Sequence, residues 1–422
     1  MLDLKKICEN PDYYQALLRK RSADIDLSSL VSVYHENIYV KTHLDGLRSQ
    51  RNEVSKKIAA IRRAGDKDVS LEESAVGLKK EISNLEEKQK VLDVNLRALA
   101  VVLPNIPHDS VPVSYNEGDK VILRSSGRER EADFELRDHL SLCTELGMLD
   151  FKTGSKIAGS QFPLYRGKGA ILERAILNFL VDKVTSKGYQ LIIPPLMVNE
   201  RSAFTAGGLP KFKDQLYHCD KDDLFMIPTS EVPLAGLHLD DLLSADDLPE
   251  YYTACTANFR REAGAYGSKE RGLIRVHQFN KVEMFKYVRP ESSYEEFDKL
   301  VSDAESLVQD FELPCRVALL PTSDMAQQAA KTIDIEIHIP SQKRYYETSS
   351  CSNCEDYQAR RGNMRFKDET GKIRYMHTIN GSGLATSRLF ASIVENNQTK
   401  EGGITIPKVL VKYTGFDYIA SR

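Results

Sequence analysis

The sequence predicts an α+β protein: a mainly antiparallel sheet flanked by helices, with an N-terminal antiparallel helical coiled-coil hairpin ahead of it. Two observations carry that prediction. Apolar residues between Leu71 and Leu103 recur in alternating steps of three and four, which is a heptad seam. Beyond residue 119, short strand-like runs follow one another with few intervening helices, which argues for antiparallel pairing rather than repeated βαβ units.

At 422 residues the chain has room for two or three domains, and it divides by composition into 1–103, a linker over 104–118, and 119–422. The formal net charge is −3, so contact with a polyanion must come from a local basic surface. Met1-Leu2-Asp3-Leu4-Lys5-Lys6 lacks the apolar run of a signal peptide, and no segment approaches the ~20 apolar residues of a membrane span. Seven scattered cysteines fit a reducing compartment better than a disulfide scaffold. The expectation is a soluble, cytoplasmic protein without a membrane partner. Cys351-Ser352-Asn353-Cys354 is a lone Cys-x-x-Cys; with no second pair at similar spacing, no structural zinc is expected.

The seam of the second hairpin arm runs through Leu71, Ala75, Leu78, Ile82, Leu85, Leu92, Leu96, Leu99 and Leu103, with a gap at Gln89. Leu44, Leu47, Val54, Ile58 and Ile61 keep the same rhythm in the first arm, interrupted by Arg51. Ala64-Gly65-Asp66-Lys67-Asp68 has the chemistry to reverse the chain between them. Helices of ~30 residues run ~45 Å each. The first arm is basic (Lys41, Arg48, Arg51, Lys56, Lys57, Arg62, Arg63, Lys67), whereas the second carries Glu72, Glu73, Glu81, Glu86 and Glu87. A solvated coiled-coil face explains such charges; the asymmetry also suits a phosphate backbone, and without interleaved aromatics a duplex fits better than single strands.

Three prolines between Pro104 and Pro112 stop the second helix. Helices are then expected over residues 139–146, 169–187, 293–311 and 384–396, the second with Leu172, Ile176, Leu180 and Val184 on one face. Strands are expected over 188–193, stopped by Pro194-Pro195, and over 224–227, 251–260, 274–286, 315–319, 333–338, 345–350 and 375–378.

Within this order one constellation carries chemistry. Phe259-Arg260-Arg261-Glu262 reads as the end of a strand, followed by a turn rich in Gly and charge (Gly264, Gly267, Lys269, Glu270, Arg271, Gly272) and a return through Arg275-Val276-His277-Gln278-Phe279. On a strand, Arg260 and Glu262 share a face, where they can grip a phosphate and a base edge while Phe279 offers a stacking surface. Arginine suits phosphate because its planar fork donates in parallel and keeps its charge. The alternative is an exposed, salt-bridged hairpin. A further arginine, Arg388, follows Asn380-Gly381-Ser382-Gly383-Leu384-Ala385-Thr386-Ser387.

In this order the chain resembles the class II aminoacyl-tRNA synthetases, specifically the bacterial-type seryl-tRNA synthetase family, over essentially its full length. Residues 169–195 resemble the class's first motif, which forms the dimer interface; 259–279 the second; 381–388 the third. The resemblance implies the class II catalytic fold, a homodimer, and an ATP-dependent serine–tRNA ligase that forms seryl-adenylate and then charges serine tRNA. Selenocysteine tRNA is a further implied acceptor. It implies that residues 1–103 bind tRNA, the hairpin meeting the long variable arm.

Arg260 and Arg388 are then the implied catalytic residues. ATP binding falls to them with Arg261, Glu262, Val276, Phe279, Glu347, Thr348, Ser349 and Ser350, and Mg²⁺ to Glu347 and Ser350, whose hard oxygens suit that ion. L-Serine falls to Thr229, Ser230, Glu231, Glu283, Asn380 and Ser382. A site built to bond a hydroxyl rejects alanine, because its own polar groups would be left unpaired. No general base is implied, since phosphoryl displacement depends on positioning and charge. Four departures from the family pattern appear: Cys354 in place of an aromatic, Thr386-Ser387 in place of Val-Gly, Arg261 in place of Ser, and Thr348 in place of Ile. Two other readings are an amino acid:carrier-protein ligase and a non-catalytic scaffold or RNA-binding paralogue. The long hairpin weighs against the first, and the presence of Arg260, Glu262 and Arg388 against the second.

Overall fold

The structure, a computed structural model, describes residues 1–116, 118–263 and 272–420. The turn expected around Gly264, Gly267, Lys269, Glu270 and Arg271 lies outside the described residues, save its last member, Gly272. Two compact units form, one over residues 2–103 and one from Pro104 onward.

In the first unit two short helices, Leu4–Glu9 and Pro11–Arg19, precede the long helices α1 (Ser28–Arg63) and α2 (Val69–Val101). Val40, Leu44, Leu47, Ile82 and Leu92 are buried between α1 and α2, with Val33, Leu78 and Leu85 packed against them. Arg51 and Gln89, the two breaks in the apolar rhythm, still occupy seam positions and are half-buried. Asn37 is buried as well, donating from Nδ2 to Asp93 Oδ1 at 2.7 Å. A polar pair in a two-helix seam disfavours other registers, since any slip leaves both groups unsatisfied. Gly65 reverses the chain at φ +88°, and Asp68 caps α2 by accepting from the Leu71 amide at 3.1 Å. Ion pairs join Arg48 to Glu86 and Arg62 to Glu72. Tyr39 and His43 stack in parallel on α1, just ahead of the basic segment, so aromatic surface is present on this arm after all.

The second unit is built on an eight-stranded sheet: β1 (Val121–Ser126), β2 (Gln190–Ile192), β3 (Glu250–Phe259), β4 (Gln278–Val288), β5 (Cys315–Leu319), β6 (Lys331–Ile339), β7 (Arg344–Glu355) and β8 (His377–Ala385). Their spatial order is β1-β5-β6-β7-β8-β4-β3-β2, and every neighbouring pair is antiparallel except β2–β3. Helices α3 (Gly167–Ser186), α4 (Ser293–Gln309) and α5 (Thr386–Asn396) cover one face. Strand alternation divides the two faces. Ile333, Ile335, Ile337, Val282, Met284 and Ile379 enter the core with Leu172, Ile176 and Leu180 of α3, Leu300 and Leu307 of α4, and Phe390 and Ile393 of α5. The intervening Thr332, Asp334, Glu336 and Lys281 face the other way, into a cleft. Gly381 allows the close packing, because a Cβ there would meet Leu300 Cδ2 at 2.4 Å.

Three expected boundaries move. β3 ends at Phe259 and β4 begins at Gln278, so Arg260, Glu262, Arg275 and Val276 sit on the connection; Glu262 turns into the left-handed region at φ +50°. The shared strand face expected for Arg260 and Glu262 is therefore not formed. Leu384 belongs to the end of β8 rather than to a helix, with φ +78°, and α5 begins at Thr386. The strand expected over 375–378 is two, Ile373–Tyr375 in a small separate sheet and β8.

Candidate active site

A cleft of ≈ 630 Å³ opens on the polar face of the sheet. β4 contributes Phe279 and Lys281, β6 contributes Asp334 and Glu336, β7 contributes Glu347 and Ser350, and β8 contributes Ser382. In a regular strand Glu347 and Ser350, three apart, would face opposite ways. The pairing register shifts between Ile335 (opposite Ser349) and Glu336 (opposite Glu347), so Thr348 is an extra residue and both side chains reach the cleft.

Two arginines border the cleft. Arg260 donates from Nε to the Pro228 carbonyl at 3.3 Å, and its guanidinium carbon lies 5.1 Å from the centre of the Phe279 ring. That cation–π contact occupies the aromatic face a base would stack on. Arg388, on the first turn of α5, donates from Nε to the Ile274 carbonyl at 3.2 Å and from Nη1 to the Glu347 carbonyl at 2.6 Å. Arg388 thus ties the return from the 264–271 segment to β7. Glu262 accepts from Arg275 Nε at 2.5 Å, and Arg344 lies over the Tyr346 ring.

Opposite Ser350 in the β6–β7 ladder stands Asp334. Its Oδ1 is buried without a partner, and burial, followed by the charge of Glu347, holds its carboxyl well above the usual range. An electron-poor partner is what this corner lacks, so Glu347, Ser350 and Asp334 fit a hard divalent cation. Among the described residues no group of three or more His, Cys, Asp or Glu is placed to hold a metal by itself, so most of the shell would have to come from a ligand and water.

Beside the cleft the residues expected for the amino acid form one hydrogen-bonded cluster. Lys281 pairs with Glu283 and donates from Nζ to Thr229 Oγ1 at 2.6 Å; Thr229 Oγ1 in turn lies 3.3 Å from Glu283 Oε2. Glu231 Oε1 accepts from Gln358 Nε2 at 2.7 Å, and from Gln328 Nε2 and Asn380 Nδ2 at 3.2 Å each. Burial, and after it the charge of Glu283, pushes the Glu231 carboxyl up to about 7. Two acidic side chains tied by amides and one lysine suit a small ligand with an ammonium and a hydroxyl.

Of the residues the sequence singles out, Arg260, Glu262, Val276, Phe279, Glu347, Ser350, Ser382 and Arg388 line the cleft. Arg261 does not: its Nη1 donates to the Asp214 carbonyl at 3.2 Å, away from the cleft. The side chains of Thr348 and Ser349 are buried, and Ser349 Oγ donates to the Ser382 carbonyl at 2.6 Å, so these two offer at most their backbone. Ser230 is fully buried, its hydroxyl 2.6 Å from Thr256 Oγ1. Cys351 and Cys354 are buried free thiols, the first pushed up to about 12 by burial. Lys281, Asp334 and Glu336 in the cleft, and Gln328 and Gln358 on Glu231, are site residues the sequence pattern did not single out. Lys281 was visible in principle, because Lys281 and Glu283 are two apart on one strand and must share its face.

Residues 1–107 match the seryl-tRNA synthetase N-terminal domain, and residues 212–397 match the class II tRNA synthetase core domain (G, H, P, S and T). The serine–tRNA ligase of Fervidobacterium nodosum is 46% identical over 423 residues, covering 99% of each chain. That of Chloroherpeton thalassium is 44% identical over 427 residues, covering 99% of this chain and 100% of its own. Among solved structures, a Pyrococcus horikoshii seryl-tRNA synthetase complexed with ATP superposes with a TM-score of 0.93 at 37% identity, with full coverage of both chains. A cytoplasmic serine–tRNA ligase from Naegleria fowleri in complex with AMP follows at 0.89 and 28%, covering 100% of this chain and 99% of that one.

Proposed function

The chain belongs to the seryl-tRNA synthetase family of the class II synthetases, and on that premise we propose how its residues divide the work of ligating serine to tRNA. The reaction has two halves. The serine carboxylate attacks the α-phosphorus of ATP and expels pyrophosphate; a 3′-terminal ribose hydroxyl of tRNA then attacks the acyl carbon of seryl-adenylate and expels AMP.

In the first half Arg260 neutralises charge developing on the α-phosphate, and Arg388 holds the triphosphate from the other side. When ATP binds, Arg260 leaves the Phe279 ring for phosphate and adenine takes its place, with Val276 and Glu262 completing the nucleotide site. Glu347 and Ser350 would hold Mg²⁺, which would supply positive charge to screen the phosphate oxygens. Thr229, Glu231, Glu283 and Asn380 orient serine, with Ser382 at the edge of the cleft; the carboxylates face its ammonium, and an unmet polar group disfavours alanine. Lys281 keeps Glu283 in place. Positioning and charge account for the step without a general base.

The observation that carries this reading is that the Arg260–Phe279 contact and the Arg388 bridge border one cleft, while Lys281, which lines that cleft, pairs with Glu283 of the adjacent cluster. The hairpin of α1 and α2 serves the second half by gripping the long variable arm of serine tRNA. Its basic residues Lys41, Lys56, Lys57 and Arg63 have no ion-pair partner among the described residues, which leaves them available to phosphates. The exposed apolar edge around Leu191, Ile193, Leu196 and Met197 supports a homodimer. Seven free thiols support a cytoplasmic location, and among the described residues no helix is long and apolar enough to cross a membrane. Charging of serine tRNA with labelled serine and ATP tests the reading. Serine-dependent adenylate formation without any charging would favour a carrier-protein ligase instead.

A further inference from the structure

A fully buried carboxylate, Glu395 near the end of α5, receives four hydrogen bonds from two other parts of the chain. Its Oε1 accepts from the His139 amide at 2.9 Å, from His139 Nδ1 at 2.8 Å and from Ser341 Oγ at 2.9 Å; its Oε2 accepts from the Ser341 amide at 2.9 Å. His139 is itself buried, and its other ring nitrogen, Nε2, accepts from the Leu273 amide at 3.0 Å. An amide can only donate, so Nε2 is the bare nitrogen and Nδ1 carries the proton towards Glu395.

Each contact leads into the cleft. Leu273 lies beside Ile274, whose carbonyl orients Arg388, and just before Arg275 and Val276. Ser341 lies three residues before the start of β7, which carries Arg344, Glu347 and Ser350. Glu395 shares α5 with Arg388. A second, independent feature marks the same joint: Gly272, at φ +68°, approaches His139 so closely that a Cβ would lie 2.3 Å from Nε2.

We propose that His139 and Glu395 are a positioning pair that holds the nucleotide-facing residues of three separate segments in register. This rests on the reading of the cleft as an ATP site. The pair touches no substrate; it sets the placement of groups that do, and such placement is worth as much in rate as a direct contact. Glutamine can reproduce both bonds of the imidazole, accepting through its carbonyl and donating through its amide, whereas alanine reproduces neither.

Serine-dependent ATP–pyrophosphate exchange on the full chain tests the proposal, because KM does not depend on what fraction of a preparation is folded. His139→Ala should raise the KM for ATP about tenfold or more while the KM for serine stays within about twofold, and His139→Gln should recover most of the loss. An ATP KM unchanged in His139→Ala, or both KM values rising together with no recovery in His139→Gln, would overturn it. Should His139→Ala yield no soluble protein, Gly272→Ala carries the test: the same ATP-selective rise supports the joint, and an unchanged ATP KM refutes it. Absence of exchange in the unmodified protein is a different result, which removes the ATP-site reading and the proposal with it.

Discussion

The side chain of Arg260 makes one hydrogen bond, to a backbone carbonyl, and one ring contact, both at an exposed position. Little of the fold depends on it, so its removal should separate chemistry from stability. Arg260→Ala is expected to lower pyrophosphate exchange by at least ~100-fold, the scale of losing one preorganised charge at a reacting centre, with an unchanged melting temperature. Exchange at the wild-type rate would exclude it from the mechanism. Glu231 makes a second case. Its carboxyl titrates near 7 in the folded chain against an ordinary value of 4.5, so the folded state binds the proton more tightly. The associated stability is complete below about pH 4.5 and is lost as pH rises through about 7. Wild type should therefore lose melting temperature relative to Glu231→Gln between about pH 4.5 and 7, and parallel pH profiles would contradict the assignment.

At the scale of elements, regular periodicity was legible and irregularity was not. The hairpin seam could be read from spacing alone because burial follows the heptad, and even its breaks at Arg51 and Gln89 sit where the rhythm puts them. The connection from β3 to β4 could not, because the strand stops at Phe259 and Glu262 adopts a positive φ that alternation does not foresee. The bulge at Thr348 likewise decides that Glu347 and Ser350 face the cleft while Thr348 and Ser349 do not. Asp334 joins them only through a cross-strand pairing with Ser350, which no local pattern contains. The hairpin's role is testable as an element: a chain lacking about residues 35–95 should retain serine-dependent exchange and lose tRNA charging. Equal charging by the shortened chain would remove the hairpin from the reaction.

At the scale of the molecule, the sheet explains why one site can hold two substrates. Its polar face carries the cleft proposed for the nucleotide, Glu283 and Asn380 of the proposed amino-acid cluster stand on the adjoining β4 and β8, and its other face is sealed by α3, α4 and α5. β2, at one edge of that sheet, leads into Ile193, which is 89% exposed. An apolar side chain so exposed beside an unpaired strand edge is a surface to be covered, and a second copy of the chain is the proposed cover. Ile193→Asp should shift the sedimentation equilibrium from dimer towards monomer, whereas a monomeric wild type would refute the assembly. The mechanism turns on the specificity of the cleft, which pyrophosphate exchange across a panel of amino acids with ATP and Mg²⁺ reads out. Exchange is expected with serine, little with threonine and none above background with alanine; no exchange with serine, or a faster rate with another amino acid, would exclude a serine-specific cleft.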